Sequence, residues 1–357
     1  MYNDFCMKQR IIILSAFLSP LRSGAEACAE EVPLALCDQY DFTIVTARMR
    51  RSLPKRDMLQ GKVPVVRVGL GVKFDKWLFP FLAPLAVRKL KPDIIHAVLE
   101  TFAGLALVFC NWTSPSAKRM LTLQTTNRSF LKKLIVRSPD CVTAISSVLQ
   151  QAARQWRNDD IPRIPNGIQL KEITEATKRC TKVSGCILFV GRLEPMKGVD
   201  TLLKAFAQIS SPKLSLRIVG EGSERSRLEH LSKKLGIADR VTFTGYIPAP
   251  QVYDEYAQAE IFCGVSRSEA LGNVFLEAQA AGCIVVAAKV GGIPDVVEHE
   301  VTGHLVPPDD PHTLANALTF ILNSPDLHTR FTQAWQRNAQ KYDWSVIALT
   351  YAKLYEN

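Results

Sequence analysis

The 357-residue sequence lacks any apolar run long enough to cross a membrane, any CxxC cysteine pair and any low-complexity or repeated segment. A spanning helix needs roughly 20 consecutive apolar residues, so none is expected within it. The apolar run Ile11–Leu14 is too short for a signal-peptide core, and Pro20 and Arg22 follow it closely. It reads as a buried strand, and the chain is expected to stay in the cytosol. Nine cysteines stand at positions 6, 28, 37, 110, 141, 180, 186, 263 and 283, an odd number that leaves at least one thiol unpaired. No histidine lies at zinc-ligand spacing from the nearest pair, Cys180 and Cys186, so reduced and mostly buried thiols are expected.

What is present fits a globular chain of two domains. Apolar residues make up 47% and charged residues 22%, which excludes a disordered chain. The length allows two cores of moderate size. Net charge is +10, unevenly placed: residues 1–168 hold 24 Lys and Arg against 13 Asp and Glu, and residues 169–357 hold 20 against 21. A basic half beside a neutral one points to an anionic partner for the first domain, such as lipid phosphate, a phosphorylated molecule or nucleic acid. A solvated basic surface accounts for it equally well.

Short β-branched runs alternate with helical patterns throughout. In the first half the strand candidates are 11–14, 42–46, 63–68, 94–97, 120–123 and 142–145. Most are separated by enough chain for a crossover helix, which predicts a parallel sheet covered on both faces. A second series follows the turn Pro165-Asn166-Gly167, with strands at 187–190, 214–219, 241–243, 261–264, 284–287 and 304–306. Helical segments near 198–208, 223–236, 251–258, 274–281 and 312–322 separate these, and residues 325–355 read as two or three helices. The fold expected is α/β, two doubly wound domains in tandem. Ligands in such sheets bind beyond the carboxyl ends of the strands, so the cleft between the domains is the expected site.

Three segments of the second half carry chemistry. Phe189-Val190-Gly191-Arg192-Leu193-Glu194-Pro195-Met196-Lys197-Gly198 is a strand, a glycine turn and a helix start that presents an Arg and a Lys. A guanidinium fork and an ammonium point charge are the usual grip on a diphosphate. Ile218-Val219-Gly220-Glu221-Gly222-Ser223 repeats the strand–glycine–helix pattern without the third glycine of a dinucleotide fingerprint. In the third, Glu269 and Glu277 flank Gly272-Asn273-Val274, where a helix begins. A helix N-terminus suits phosphate, and carboxylates suit sugar and ribose hydroxyls.

These residues resemble the family 4 retaining glycosyltransferases of the GT-B fold, whose hallmark is a glutamate, seven residues and a second glutamate. Gly291-Gly292-Ile293-Pro294-Asp295 and Thr302-Gly303-His304-Leu305-Val306 match later landmarks of that family. Ser23-Gly24-Ala25-Glu26, Pro92-Asp93-Ile94-Ile95-His96 and Ile164-Pro165-Asn166-Gly167 extend the match to the first half. The resemblance implies an acceptor-side domain over 1–168, joined by a final helix over 343–357, and a donor domain over 169–342. It implies that Arg192 and Lys197, beside Gly191 and Gly220, hold the diphosphate of a UDP- or GDP-linked sugar, and that Glu277 binds its ribose. Glu269 and the backbone of Gly272, Asn273 and Val274 would hold the sugar and distal phosphate, with Gly24 facing the donor from the other domain. It further implies retained anomeric configuration and neither cofactor nor metal. The adjacent pairs Asp159-Asp160 and Asp309-Asp310 read as turn formers, not as metal-binding Asp-x-Asp. Removing Arg192 or Lys197 is expected to raise the barrier by on the order of 3 kcal/mol.

Two departures stand out. Where many relatives place a histidine after the strand 120–123, this chain has Gln124-Thr125-Thr126-Asn127, so Gln124 or Asn127 would substitute as hydrogen-bonding groups. Gln169 stands where Asp is common. His96 is read as a strand-end residue facing the cleft, with a substrate contact and a packed histidine weighed equally. The aromatic and basic stretch 73–92, with Arg48, Arg50, Arg51, Lys55 and Arg56, could rest on an anionic membrane, but Pro80 and Pro84 are expected to interrupt any long amphipathic helix, which favours an ordinary helix packed on the sheet. A glycan or lipid-linked acceptor, in a bacterial surface-polysaccharide or glycolipid pathway, follows from family analogy. A dehydrogenase is excluded by the lack of an early glycine fingerprint. No nucleic-acid module is present. A non-catalytic sugar-nucleotide-binding relative remains the alternative.

Overall fold

The computed structural model describes residues 8–21, 24–127 and 131–356, so Cys6 and Ser23 lie outside the described residues. The chain divides into two compact units: one runs to Gly167 and resumes at Trp344, and the other is Ile168–Asp343.

The first unit is a seven-stranded sheet of β1 (Arg10–Leu14), β2 (Asp41–Ala47), β3 (Arg56–Leu59), β4 (Val63–Val68), β5 (Ile94–Val98), β6 (Lys118–Leu123) and β7 (Cys141–Ala144). The order is β3-β4-β2-β1-β5-β6-β7, all parallel except β3 on β4. Ile11, Ile13 and Leu14 of the central strand are fully buried, which is why it reads as an unbroken apolar run. The sequence reading missed β3. Arg56-Asp57-Met58-Leu59 is an exposed edge strand with no apolar face to give it away.

Helices α1 (Ala27–Leu36), α2 (Asp75–Leu90), α3 (Phe102–Thr113), α4 (Lys132–Arg137) and α5 (Ser147–Arg154) accompany this sheet before the chain passes into the second unit. The expectation that Pro80 and Pro84 interrupt the chain is corrected, because α2 runs unbroken for 16 residues. Both prolines lie on its buried face with Phe79, Ala83 and Val87, over β2 and β4. Packing of that face outweighs the backbone hydrogen bonds the prolines remove.

The second unit is a six-stranded parallel sheet of β8 (Val183–Val190), β9 (Ser215–Val219), β10 (Val241–Gly245), β11 (Ala259–Gly264), β12 (Ile284–Ala288) and β13 (His304–Val306), ordered β10-β9-β8-β11-β12-β13. Its helices are α6 (Leu170–Arg179), α7 (Val199–Phe206), α8 (Arg225–Lys234), α9 (Val252–Gln258), α10 (Asn273–Ala280), α11 (Pro311–Leu322) and α12 (Pro325–Gln336). Asp310 caps α11, accepting from the backbone N–H groups of His312 and Thr313, which is the turn-forming use expected of it.

The last helix, α13 (Trp344–Glu356), belongs to the first unit and packs on α1. Its Tyr351 and Tyr355 are fully buried among Tyr40, Phe42 and His96. All eight described cysteines are free, and burial pushes the Cys28 and Cys110 thiols up to about 12, so they stay protonated and inert.

Candidate functional site

In the second unit the carboxyl ends of β8, β9 and β10 are tied in a row. The Gly191 N–H donates to the Val219 carbonyl at 3.0 Å, and the Gly220 N–H donates to the Gly245 carbonyl at 2.8 Å. The loop leaving β8 carries Arg192, which is exposed, and a single 3-10 turn, Pro195–Lys197, that presents Lys197. Glu194 anchors this loop to the start of α8 by accepting from the Ser223 hydroxyl at 2.8 Å. The Ser223 bonds hold its carboxyl below the usual range, so it stays charged near neutral pH.

The loop leaving β11 brings Glu269 to meet Lys197. The Lys197 ammonium donates to Glu269 Oε2 at 2.6 Å, with both side chains mostly buried. Two groups that lie 72 residues apart thus form one ion pair. Gly291 backs it: a Cβ there would fall 1.9 Å from the Glu269 carbonyl, and the neighbouring Gly292 N–H donates to that same oxygen at 3.1 Å. Only glycine permits such an approach, which explains the first glycine of the Gly291–Asp295 segment.

Immediately after Glu269 the chain turns through Gly272, whose φ of 89° is left-handed, and α10 begins at Asn273. With no side chain at its N-cap, Gly272 does not cap the helix, and Asn273 and Val274 are half-buried at its first turn. This is the polarity a phosphate favours. One turn on, Glu277 Oε2 accepts the Tyr256 hydroxyl at 3.0 Å. Burial first, and the Glu277 charge second, hold the Tyr256 phenol well above its usual value, so it remains a donor.

The sequence reading missed two residues that shape this region. Arg267 anchors both loops: its Nη2 donates to Asp200 at 3.0 Å, its Nε lies 2.8 Å from Asp309, its Nη1 donates to the Pro195 carbonyl, and its backbone N–H donates to Met196 at 2.8 Å. It stands two residues before Glu269, just ahead of the segment singled out, so its place was the available signal. Tyr256 had none, because it reaches Glu277 only through the packing of α9 on α10.

The first-unit candidates fall elsewhere. Gly24 is exposed in the turn ahead of α1. His96 does not end its strand: β5 continues to Val98, and the ring is fully buried, 2.8 Å from both Tyr355 Oη and Thr122 Oγ1. It is a packing residue, the second of the two readings weighed for it, and it does not face a cleft. Gln124 is also buried, and it exchanges reciprocal amide bonds of 3.0 and 2.9 Å with Asn166. Its side chain is therefore not open to a sugar. Asn127 is exposed, and its carbonyl accepts from Lys132 at 3.0 Å. Behind this loop, Glu100 accepts the Gln124 and Thr125 N–H groups and pairs with Lys132 at 3.1 Å.

One grouping among the described residues, His299, Glu300 and His304, brings three metal-ligating atoms within 4.8 Å. The His299 Nδ1 accepts the Leu305 N–H at 3.0 Å. Its proton then sits on Nε2, which removes that nitrogen as a ligand.

A family model described as Glycosyl transferases group 1 matches residues 178–341, and one described as Glycosyltransferase Family 4 matches residues 22–172. A D-inositol 3-phosphate glycosyltransferase of Streptomyces coelicolor is 39% identical over 179 residues, 47% of this chain and 39% of the relative. A phosphatidyl-myo-inositol mannosyltransferase of Mycobacterium leprae is 31% identical over 214 residues, 57% and 56% of the two chains. The match thus spans about half or less of these curated relatives. Among solved structures, a sucrose-phosphate synthase from Thermosynechococcus elongatus superposes with a TM-score of 0.86 at 25% identity over 98% of both chains. HepE from Anabaena, solved with UDP and glucose, gives 0.79 at 21% identity over 98% and 99%. With two Rossmann-like sheets, a GT-B architecture matched over nearly its whole length and two family models running from residue 22 to 341, the chain belongs to the family 4 glycosyltransferases.

Proposed function

We propose that this chain transfers a hexose-type sugar from a UDP- or GDP-linked donor to a glycan or lipid-linked acceptor, with retention and without a metal ion, from the cytoplasmic side of a membrane. The observation that carries the reading is the Lys197–Glu269 pair, held at 2.6 Å beside the start of α10, whose N-cap is Gly272. Arg192 and Lys197 take the donor diphosphate, Glu277 takes the ribose, and Glu269 with the backbone of Gly272, Asn273 and Val274 takes the sugar and distal phosphate. The exposed ring of Tyr246, just beyond β10, offers a stacking surface to the base. Gly24 and Asn127 are the first-unit groups assigned to donor and acceptor.

In the proposed step the acceptor oxygen bonds to the anomeric carbon on the face from which the nucleoside diphosphate departs. The carbon–phosphate-oxygen bond breaks, and the acceptor proton passes to the departing phosphate. No protein base is required, and the positive charges of Arg192 and Lys197 stabilise the charge that develops. The complexes of HepE with UDP and with UDP-glucose support a nucleotide-sugar donor.

The locked Gln124–Asn166 pair, standing where relatives carry a histidine, favours one second reading, a donor-binding relative without catalysis. Thermal stabilisation and slow hydrolysis of UDP-glucose, UDP-galactose, UDP-N-acetylglucosamine and GDP-mannose separate the two. Stabilisation by one donor, lost in Arg192→Ala and Glu277→Ala, with turnover that survives a chelator, is the expected result. Stabilisation without turnover selects the second reading, and no response to any of the four sinks the donor assignment.

A further inference from the structure

We propose that the outward face of α2 and α3 docks on an anionic phospholipid surface. An ordinary surface helix is apolar inward and polar outward. Helix α2 is apolar on both sides. Phe79, Ala83 and Val87 face the sheet, while Phe74, Trp77, Phe81 and Leu85, at helical spacing, are 54–60% exposed. The stripe continues across the neighbouring helix: Phe81 stacks on Phe109 at 5.3 Å, and Phe109 lies 5.8 Å from Trp112, which is 71% exposed. Trp77 rests edge-on against Phe102 at 5.0 Å. The result is a continuous aromatic ledge, not a scatter of single side chains.

Charge selects the occupant. Exposed Lys73 lies at one end of the stripe, and Arg50 and Arg51 adjoin it, Arg51 packing beside Gly71. Arg88, Lys89 and Lys91 lie at the other end, all exposed. Between Leu70 and Lys91 the only acid is Asp75, which is fully buried and accepts the Gly71 N–H at 2.6 Å, and α3 has no charged residue at all. Aromatic rings at the level of the headgroups, flanked by cations that reach phosphate, are what a lipid interface accommodates. Arg48, included in this basic cluster on sequence grounds, is instead turned inward to the Leu53 and Arg51 carbonyls. The proposal uses the lipid-linked acceptor only to explain why the enzyme would sit on a membrane, and its test needs neither donor nor acceptor.

Flotation of the full chain tests it, with vesicles of phosphatidylcholine containing about one third phosphatidylglycerol at about 50 mM salt. The wild type is expected to float with these and not with pure phosphatidylcholine. Its tryptophan emission is expected to be quenched by brominated acyl chains. Phe81→Ser with Leu85→Ser lowers the bound fraction about tenfold or more. Arg88→Gln and Lys89→Gln lower it about fivefold each. Wild type that stays down at low salt, or variants that float equally well, overturn the proposal. So does a wild-type dimer that the Phe81/Leu85 variant converts to monomer without loss of flotation, which assigns the face to a second copy. Donor-induced thermal stabilisation, measured on the same variants, is expected to be unchanged, so failure of this surface and failure of the donor site are read separately.

Discussion

Both units build a parallel sheet with polar residues at or near the carboxyl ends of its strands, but they use those residues differently. In the first unit the groups satisfy one another: His96 with Thr122 and Tyr355, Gln124 with Asn166, Glu100 with Lys132. In the second, Arg192 stays exposed, and Lys197, Glu269 and Glu277 are held half-buried by residues behind them. The first unit buries its paired groups almost completely; the second also pairs Lys197 with Glu269 and Glu277 with Tyr256 but leaves them partly exposed near an exposed Arg192. The same architecture therefore locates a site only together with the hydrogen-bond partners of each group.

The sharpest way to break this contrast is to compare Arg192→Ala, at an exposed side chain, with Gln124→Ala. The first is expected to lower transfer by on the order of a hundredfold to a thousandfold with little change in folding stability. The second is expected to cost about 1–3 kcal/mol of stability, because it leaves the buried Asn166 amide unpaired. If urea denaturation and kinetics give the opposite assignment, the division of labour is wrong. Next in size is Arg267→Ala. By releasing the loops that carry Lys197 and Glu269 it should lower kcat by about a hundredfold. Arg267→Lys should recover little of this, since an ammonium cannot span Asp200, Asp309 and the Pro195 carbonyl together.

A smaller effect is expected at Tyr256→Phe, which removes the donor to Glu277. Donor Kd by calorimetry should rise about tenfold, with kcat nearly unchanged. A separate test lies in the first unit and concerns pH. Burial holds His96 down to about 3 in the folded chain. Below the ordinary histidine value the unfolded chain takes up a proton that the folded chain refuses. Stability should therefore fall as pH drops from about 6.5 towards 3, by up to ~1.4 kcal/mol per pH unit from this residue. In His96→Gln that increment should vanish from denaturation curves taken between pH 7 and 5, and an unchanged slope would discard the explanation.

Where the sequence was legible, burial on both faces had written it. Runs such as Ile11–Leu14 and Ile284–Ala287 can be little else than central parallel strands. The glutamate pair was legible because Glu269 and Glu277 straddle a single helix start, so their distance along the chain fixes their distance in space. Features that depend on neighbours from other elements were not legible. Arg56–Leu59 becomes a strand only because β4 offers it an edge. The prolines of α2 are tolerated only because a sheet lies beneath them. At His96 a ligand contact and a packed ring could not be told apart, because nothing local announces that β6 and α13 enclose it.

The discontinuity of the first unit has a consequence for synthesis. Tyr351 and Tyr355, which fill its core, are translated after every residue of Ile168–Asp343. The earlier-made unit therefore cannot close its core until residues 344–356 are available, and until then it keeps an apolar wall open over α1.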